Sequence, residues 1–535
     1  MKIPRFIACL TALLCMAAGC RSEDDAAVRA LARRIIPEHE KQFRFERLTD
    51  TTECFELESR GSKIVVPGTR SASLAVGLNH YLKHYCLTTV SWHACNPVEM
   101  PAVLPRIDEK VRVESRARER FFLNYCTFGY TMPWWGWTEW ERFIDWMALQ
   151  GVTMPLAITG QEAVWQRVWT RLGLSDEEVR AYFTGPAHLP WHRMSNIDRW
   201  QGPLPEEWID GQLALQQRIL ARERELGMKP VLPAFAGHVP QELKRLHPDA
   251  RITRVSYWGG FDDRYRCSFL DPMDPLFAVI QREFLTEQTR LFGTGQIYGE
   301  DPVNEIDAPA WDPETLAGMS RHIYESMAEV DPEAVWLQMG WLFYADPTHW
   351  TAENIRAFLG AVPQDRLLML DYFCEFTEIW KQTEKFHGQP YLWCYLGNFG
   401  GNTMLSGNFH TVSARMEDAF AHGGDNLRGV GSTLEGFGVN QFMYEFVLDK
   451  AWNTGIADDE WIARLADRRT GFRDPAARPG WRTPCDSVYT LPPQTGQSPL
   501  TTAPPAPQGN AHWPPKPHTG HRFPTLRQIL GDLLP

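Results

Sequence analysis

The stretch Ile297-Tyr298-Gly299-Glu300-Asp301-Pro302-Val303-Asn304-Glu305 puts three carboxylates and an asparagine within six positions. The short apolar run at 295–298 breaks into this loop. In a βα-barrel the strands end on one face and hand their reactive side chains to the loops that follow. An Asn-Glu pair closing such a loop suits acid/base work on a sugar. The amide can hold a hydroxyl or N-acetyl group while the carboxyl serves the glycosidic oxygen. Read by itself, the stretch is more simply a solvated acidic loop, so the sugar reading depends on what the rest of the chain places around it.

At 535 residues the chain has room for two or three domains. Its 44% apolar and 22% charged content is that of a globular protein with a large core. A formal net charge of -12 and a pI near 5.8 exclude a nucleic-acid partner, since no basic stretch could neutralise a run of phosphates. The outlying number is 22 tryptophans, five of them (Trp134, Trp135, Trp137, Trp140 and Trp146) in one short segment. Flat faces with a polar edge stack well on sugar rings, although most tryptophans in any domain are core. The 11 cysteines form no CxxC pair, so a structural zinc site is not expected, and no motif calls for a cofactor.

At the N-terminus, Lys2 and Arg5 precede an apolar stretch at 6–18 that is too short to span a membrane and ends at Ala17-Ala18-Gly19-Cys20. Small residues directly before a cysteine resemble a bacterial lipobox. Residues 1–19 then form a signal peptide, and Cys20 is the lipidated first residue of a mature protein anchored in the bacterial cell envelope. Ala17 stands where such boxes usually carry leucine, and the alternative is an ordinary secretory signal.

The elements that must position the acidic loop follow in order. Residues 20–113 read as a small α/β domain: a helix over 24–34, alternating strand patterns at 43–45, 54–58 and 62–66, and a helix over 71–85. Residues 114–455 read as a (β/α)8 TIM-like barrel, with strands at 121–126, 153–158, 230–235, 296–298, 335–339, 367–372, 391–396 and 429–433. Helices are expected at 137–149, 160–171, 205–226, 275–292 and 313–330. A doubly wound open sheet is the alternative, but no glycine-rich phosphate loop follows any of these strands. The residues at or after the strand ends are polar and aromatic: Asn124 and Cys126, Gln161 and Glu162, His238, Asn304 and Glu305, Trp341, Asp371, Trp393 with Asn398 and Asn402, and Glu435. Packing alone does not explain such a set on one face; a sugar pocket does. From 456 onward a helical start gives way to a tail dominated by proline, threonine and glycine after 475, most of which is expected to be poorly ordered.

Several long strings resemble the α-N-acetylglucosaminidase family, glycoside hydrolase family 89. They include Gly160-Gln161-Glu162-Ala163-Val164-Trp165-Gln166, Pro233-Ala234-Phe235-Ala236-Gly237-His238-Val239-Pro240 and Asn398-Phe399-Gly400-Gly401-Asn402. The resemblance covers roughly 73–452. It implies a retaining glycosidase in which Glu305 is the acid/base and Glu435 the nucleophile. It also implies that Asn124, Cys126, Trp191, Trp258, Asn304, Trp341 and Trp393 line a pocket for a terminal α-linked N-acetylglucosamine. Burial and the nearby Glu435 charge are expected to keep Glu305 protonated near neutral pH. Glu300, Asp301 and Asp307 read as loop-structural or as sugar-hydroxyl ligands, and His238 as either a hydroxyl ligand or a buried, satisfied histidine. Family members continue into a large helical domain, so this chain reads as a truncated member. The competing readings are a hexosaminidase using its substrate's own acetamide, which Asn304-Glu305 fits poorly, and a surface lipoprotein that binds glycans without cleaving them.

Overall fold

A computed structural model describes residues 25–93, 98–401, 405, 407–490 and 523–533. Cys20 with its lipobox, Asn402 and the proline-rich stretch 491–522 lie outside the described residues.

The N-terminal domain forms as its patterns predict. Helix Ala26–Ile35 starts at Asp25, whose carboxylate accepts the Val28 N–H at 3.0 Å. Strands Phe43–Arg47, Cys54–Arg60, Lys63–Gly68 and Val111–Glu114 form one sheet, with the first and third parallel and the third antiparallel to the second. Helix Ser71–His84 covers it and is buried along most of its length. This layer is tied to the barrel through charge. Arg120, fully buried at the start of the barrel, pairs with Glu53 at 2.8 Å and donates to the Ala117 carbonyl at 2.7 Å. Arg34 clamps Asp145 with two bonds of 2.7 Å.

Eight parallel strands make the barrel: β1 Glu119–Phe122, β2 Met154–Pro155, β3 Leu232–Pro233, β4 Ile297–Gly299, β5 Val335–Met339, β6 Leu367–Asp371, β7 Tyr391–Tyr395 and β8 Leu427–Ser432. They lie side by side in the order β2-β1-β8-β7-β6-β5-β4-β3. A parallel bridge between Leu156 and Val231 joins β2 to β3 and closes the ring. β6 and β7 are buried at every position, as expected of parallel strands covered on both faces. Helices Trp137–Leu149, Pro275–Phe292 and Pro313–Ala328 start where the sequence predicts, the last two at Asp-Pro pairs in which the aspartate caps and the proline fills the first turn.

Three expectations need correction. β2 and β3 are two residues long rather than six. Pro155, Pro230 and Pro233 lack the N–H groups that longer ladders require. After β3 a small antiparallel sheet of His238–Val239, Ser268–Leu270 and Ile252–Arg254, too short to show alternation, is inserted. Of the tail from 475, most of which is expected to be poorly ordered, the described residues form helices Arg478–Ser487 and Phe523–Leu533. Its buried Tyr489 meets Phe442 edge-on at 4.8 Å, beside Trp461 of helix Asp458–Thr470, which contacts Phe446 at 5.0 Å. Proline content masked this apolar contact.

Candidate active site

β4 ends in the acidic loop, and the loop is built from the strand outward. The Glu300 N–H bonds to the Leu337 carbonyl at 3.1 Å, the Trp336 indole donates to the Glu300 carbonyl at 2.7 Å, and Asp301 accepts the Met339 N–H at 2.7 Å. With β5 holding it, the chain turns through Val303 and Glu305, both at φ 54°. A β-branched residue in that left-handed region is strained, at a cost on the order of 1–3 kcal/mol. The turn buries Asn304 and brings Glu305 to the exposed mouth. There one carboxylate oxygen, Oε2, accepts from both Asn196 Nδ2 and Trp258 Nε1 at 3.1 Å each.

β8 delivers the second carboxyl. Asn124, at the end of β1, donates to the Thr433 carbonyl at 2.8 Å, Thr127 donates to the Leu434 carbonyl at 2.6 Å, and the Thr433 hydroxyl donates to the Tyr372 carbonyl at 2.9 Å. These bonds fix the two residues before Glu435. Glu435 itself is half-buried, with Oε2 accepting the Gly400 N–H. Its carboxyl is pushed up to about 7, chiefly by burial and in smaller part by the Glu305 charge, against the opposing pull of the Gly400 bond, so the burial expected at Glu305, which stands exposed, is found at Glu435 instead. The Cys126 thiol is driven well above its ordinary range by burial, then by Glu435 and by Glu305. The two carboxyls and Cys126 therefore share one electrostatic neighbourhood, although β4 and β8 lie four strands apart in the sheet.

Aromatic rings rim this neighbourhood. Trp191 meets Tyr130 edge-on at 5.0 Å. Trp341 lies 5.9 Å from Phe399 and 6.1 Å from Tyr372, ring centre to ring centre. The Tyr372 hydroxyl is pushed up by burial, then by Cys126 and Glu435, which places it beside the pair. A second cavity, lined by Tyr125, Gln161, Glu162, Arg193, Glu300 and Asn304 among others, lies toward β2–β4 and includes neither Glu305 nor Glu435. Among the described residues, His192, Asp198 and His238 are the ones that could hold a metal ion, with ligand atoms within 4.8 Å of one another. In this structure His238 Nε2 bonds to an Asp198 oxygen at 2.8 Å, and His192 Nδ1 lies 3.1 Å from the same oxygen without making a hydrogen bond to it.

Comparison with known proteins bears on this arrangement. The α-N-acetylglucosaminidase (NAGLU) TIM-barrel domain matches residues 120–454, and the N-terminal domain of the same family matches 26–106. The chain belongs to the α-N-acetylglucosaminidase family. It is 41% identical over 483 residues to human α-N-acetylglucosaminidase, covering 88% of this chain and 65% of the human protein. The family 89 glycoside hydrolase from Clostridium perfringens in complex with 2-acetamido-1,2-dideoxynojirmycin is 28% identical with a TM-score of 0.84, over 94% of this chain and 57% of that one. The same fit, at 27% identity, is found with a form of the C. perfringens protein carrying two Glu-to-Gln changes in complex with its substrate GlcNAc-alpha-1,4-galactose. This chain thus spans less than two thirds of the relatives it matches.

Of the residues that the family resemblance implied, Glu305, Glu435, Cys126, Trp191, Trp258 and Trp341 are positioned at or around the mouth described above, whereas Asn304 is buried and lines the second cavity. Asn124 is different in kind. Both ends of its amide are engaged by backbone, the Thr433 carbonyl and the Cys126 N–H at 2.9 Å, so it shapes the site from beneath. Trp393 is set apart: it is 0% exposed and donates its indole N–H to Glu378 at 3.2 Å, which makes it core rather than lining. His238 is the buried, satisfied histidine of the two readings. Glu300 is buried and Asp301 half-buried, and desolvation pushes Asp301 up to about 7 while its oxygen holds the Met339 N–H, which suits a loop-structural role. Asn196 and Gly400 were missed. Asn196 sits 109 residues before Glu305 in a segment without periodicity, and Gly400 contributes only a backbone N–H.

Proposed function

We propose that this chain is an exo-acting retaining glycosidase that releases terminal α-linked N-acetylglucosamine from glycans. The observation that carries this reading is the pairing of Glu305 and Glu435 at the ends of β4 and β8, close enough for one charge to raise the other's pKa. In the first step Glu435, ionised, attacks the anomeric carbon. The bond to the glycosidic oxygen breaks, that oxygen keeps the electron pair, and Glu305 gives it a proton. In the second step Glu305 takes a proton from water, which attacks the same carbon and frees Glu435. Gly400 holds one oxygen of Glu435 and leaves the other for attack. The rim tryptophans supply stacking faces for the sugar.

The test is hydrolysis of p-nitrophenyl α- and β-N-acetylglucosaminides, with the first-formed product anomer read by NMR. Release from the α-linked substrate alone, with the α-anomer appearing first, supports the reading. Cleavage of the β-linked substrate, or initial β-anomer, would overturn it. The competing reading is a glycan-binding protein without turnover. Glycan binding with no hydrolysis of either substrate is its signature.

Location is part of the proposal. Residues 1–19 are read as a lipoprotein signal and Cys20 as the lipidated residue, holding the protein in a bacterial cell envelope. Cys20→Ala should move the protein from the membrane to the soluble fraction; a variant that stays with the membrane refutes the anchor. No described helix is long and apolar enough to cross a membrane.

A further inference from the structure

Glu305 stands on a loop at the exposed mouth of the barrel, yet an acid/base carboxyl must present one chosen oxygen to the glycosidic bond with little freedom. Two side chains from elsewhere in the fold address this. Asn196 Nδ2 and Trp258 Nε1 both donate to the same oxygen, Oε2, at 3.1 Å. An oxygen that already accepts two N–H donors is a poor site for a proton, so Oε1 is left to carry the proton and meet the leaving group.

The anchor behind Asn196 is more rigid than that behind Glu305. Asn196 is 4% exposed, and its backbone N–H bonds to the Trp191 carbonyl at 2.8 Å. Ser195 before it takes a left-handed turn at φ 65°. Two residues on, the Asp198 N–H bonds to the Tyr265 carbonyl at 2.9 Å. The Asp198 carboxylate accepts from His238 Nε2 at 2.8 Å and Cys267 Sγ at 3.4 Å, with His192 Nδ1 at 3.1 Å. A buried carboxylate bonded to side chains from two other segments therefore pins the turn that carries Asn196.

We infer that Asn196, together with Trp258, is a positioning residue for the acid/base step, selecting Oε1 of Glu305 as the proton-bearing oxygen, with the Asp198–His192–His238 cluster as the post on which Asn196 is mounted. This rests on the assignment of Glu305 under the proposed function.

Two conservative variants test it. Asn196→Asp keeps the side-chain shape but replaces the N–H donor with an acceptor, and Trp258→Phe keeps a ring but removes the N–H. For each, kcat and KM are measured on an alkyl and on a dinitrophenyl α-N-acetylglucosaminide, and a crystal structure is solved. The expected result is a kcat on the alkyl glycoside lower by about 10- to 1,000-fold in Asn196→Asp, a part of the roughly 100- to 10,000-fold that a general acid–base group contributes. KM should change by less than about twofold, the dinitrophenyl burst rate should change far less than the alkyl rate, and the Glu305 carboxyl should leave its wild-type rotamer. A role confined to holding the fold would depress both substrates alike. Equal losses on the two substrates, or a Glu305 carboxyl unmoved in both variant structures, would overturn the inference. If the wild-type protein cleaves neither anomer, the functional reading fails separately, and the rotamer of Glu305 in the two variants still decides whether Asn196 and Trp258 position it.

Discussion

Asn124 and Thr433 are joined across β1 and β8 by an amide-to-carbonyl bond of 2.8 Å, two residues before Glu435. The same amide accepts the Cys126 N–H through its oxygen, so one buried side chain stitches both strand ends below the nucleophile candidate. Asn124→Ala leaves the Thr433 carbonyl without this donor and should lower unfolding free energy by about 1–3 kcal/mol, the range for orphaning a buried polar group. It should also lower kcat, because Glu435 loses its fixed approach. Denaturant unfolding with parallel kinetics checks both; an unchanged kcat would mean that Glu435 is held without Asn124.

The two glutamates should fail differently. Glu435→Ala should abolish turnover on every leaving group, with azide or formate restoring some reaction by attacking in its place. Glu305→Ala should spare the first step on a dinitrophenyl glycoside, since such a phenolate needs little protonation, and should stall the second, which needs a base. Rapid mixing should then show a burst followed by a slow steady state. A Glu305→Ala enzyme equally impaired on good and poor leaving groups, with no burst, would remove the acid/base assignment.

The raised Glu435 pKa, about 7, carries a pH dependence with a definite sign. As nucleophile Glu435 must be ionised, so kcat/KM should fall as pH drops through about 7, and Glu435→Asp should retain an acid limb that Glu435→Gln cannot show. The stability sign is opposite. A carboxyl whose folded pKa lies above its unfolded value contributes stability present below about pH 4.5 and lost as pH rises through about 7. Glu435→Gln should therefore raise the melting temperature relative to wild type at pH 8 and do so much less at pH 5. A gain of equal size at both pH values would mean that ionisation of Glu435 is not the cause.

Gly129 makes room for a rim tryptophan. A Cβ there would stand 2.7 Å from Cζ3 and 2.9 Å from Cη2 of Trp191, too close for either to remain in place. Gly129→Ala should displace the Trp191 ring and raise KM several-fold with little change in kcat, as expected when a contact shared by ground and transition states is lost. A change confined to kcat would place Trp191 in the chemistry rather than in binding.

Much of the scaffold was legible because its signals are local. Asp274-Pro275 and Asp312-Pro313 announce helix starts, and the apolar runs of β5, β6 and β7 announce buried parallel strands. Glu305 and Glu435 stood out through the family resemblance more than through their own spacing. What stayed hidden depends on contacts between distant parts of the chain. Nothing near Asn196 marks it as a donor to Glu305, and Trp393 looked like lining until burial and its Glu378 bond turned it inward. The short β2 and β3 were overcalled because their flanks are as apolar as true strands, while proline had removed the ladder.

That proline-thinned closure makes the cylinder mechanically uneven. Across β7 and β8, five residue pairs are matched, four of them in continuous register, whereas β2 and β3 meet at one bridge, with Lys229, Val231 and Ala157 supplying backbone N–H groups to the Thr153, Pro155 and Val231 carbonyls. Local opening is cheapest where the fewest bonds must break together. The β2–β3 edge is thus a built-in zip, positioned to let the wall near Gln161 and Glu162 breathe while β8, which carries Glu435, stays braced by full strands on either side.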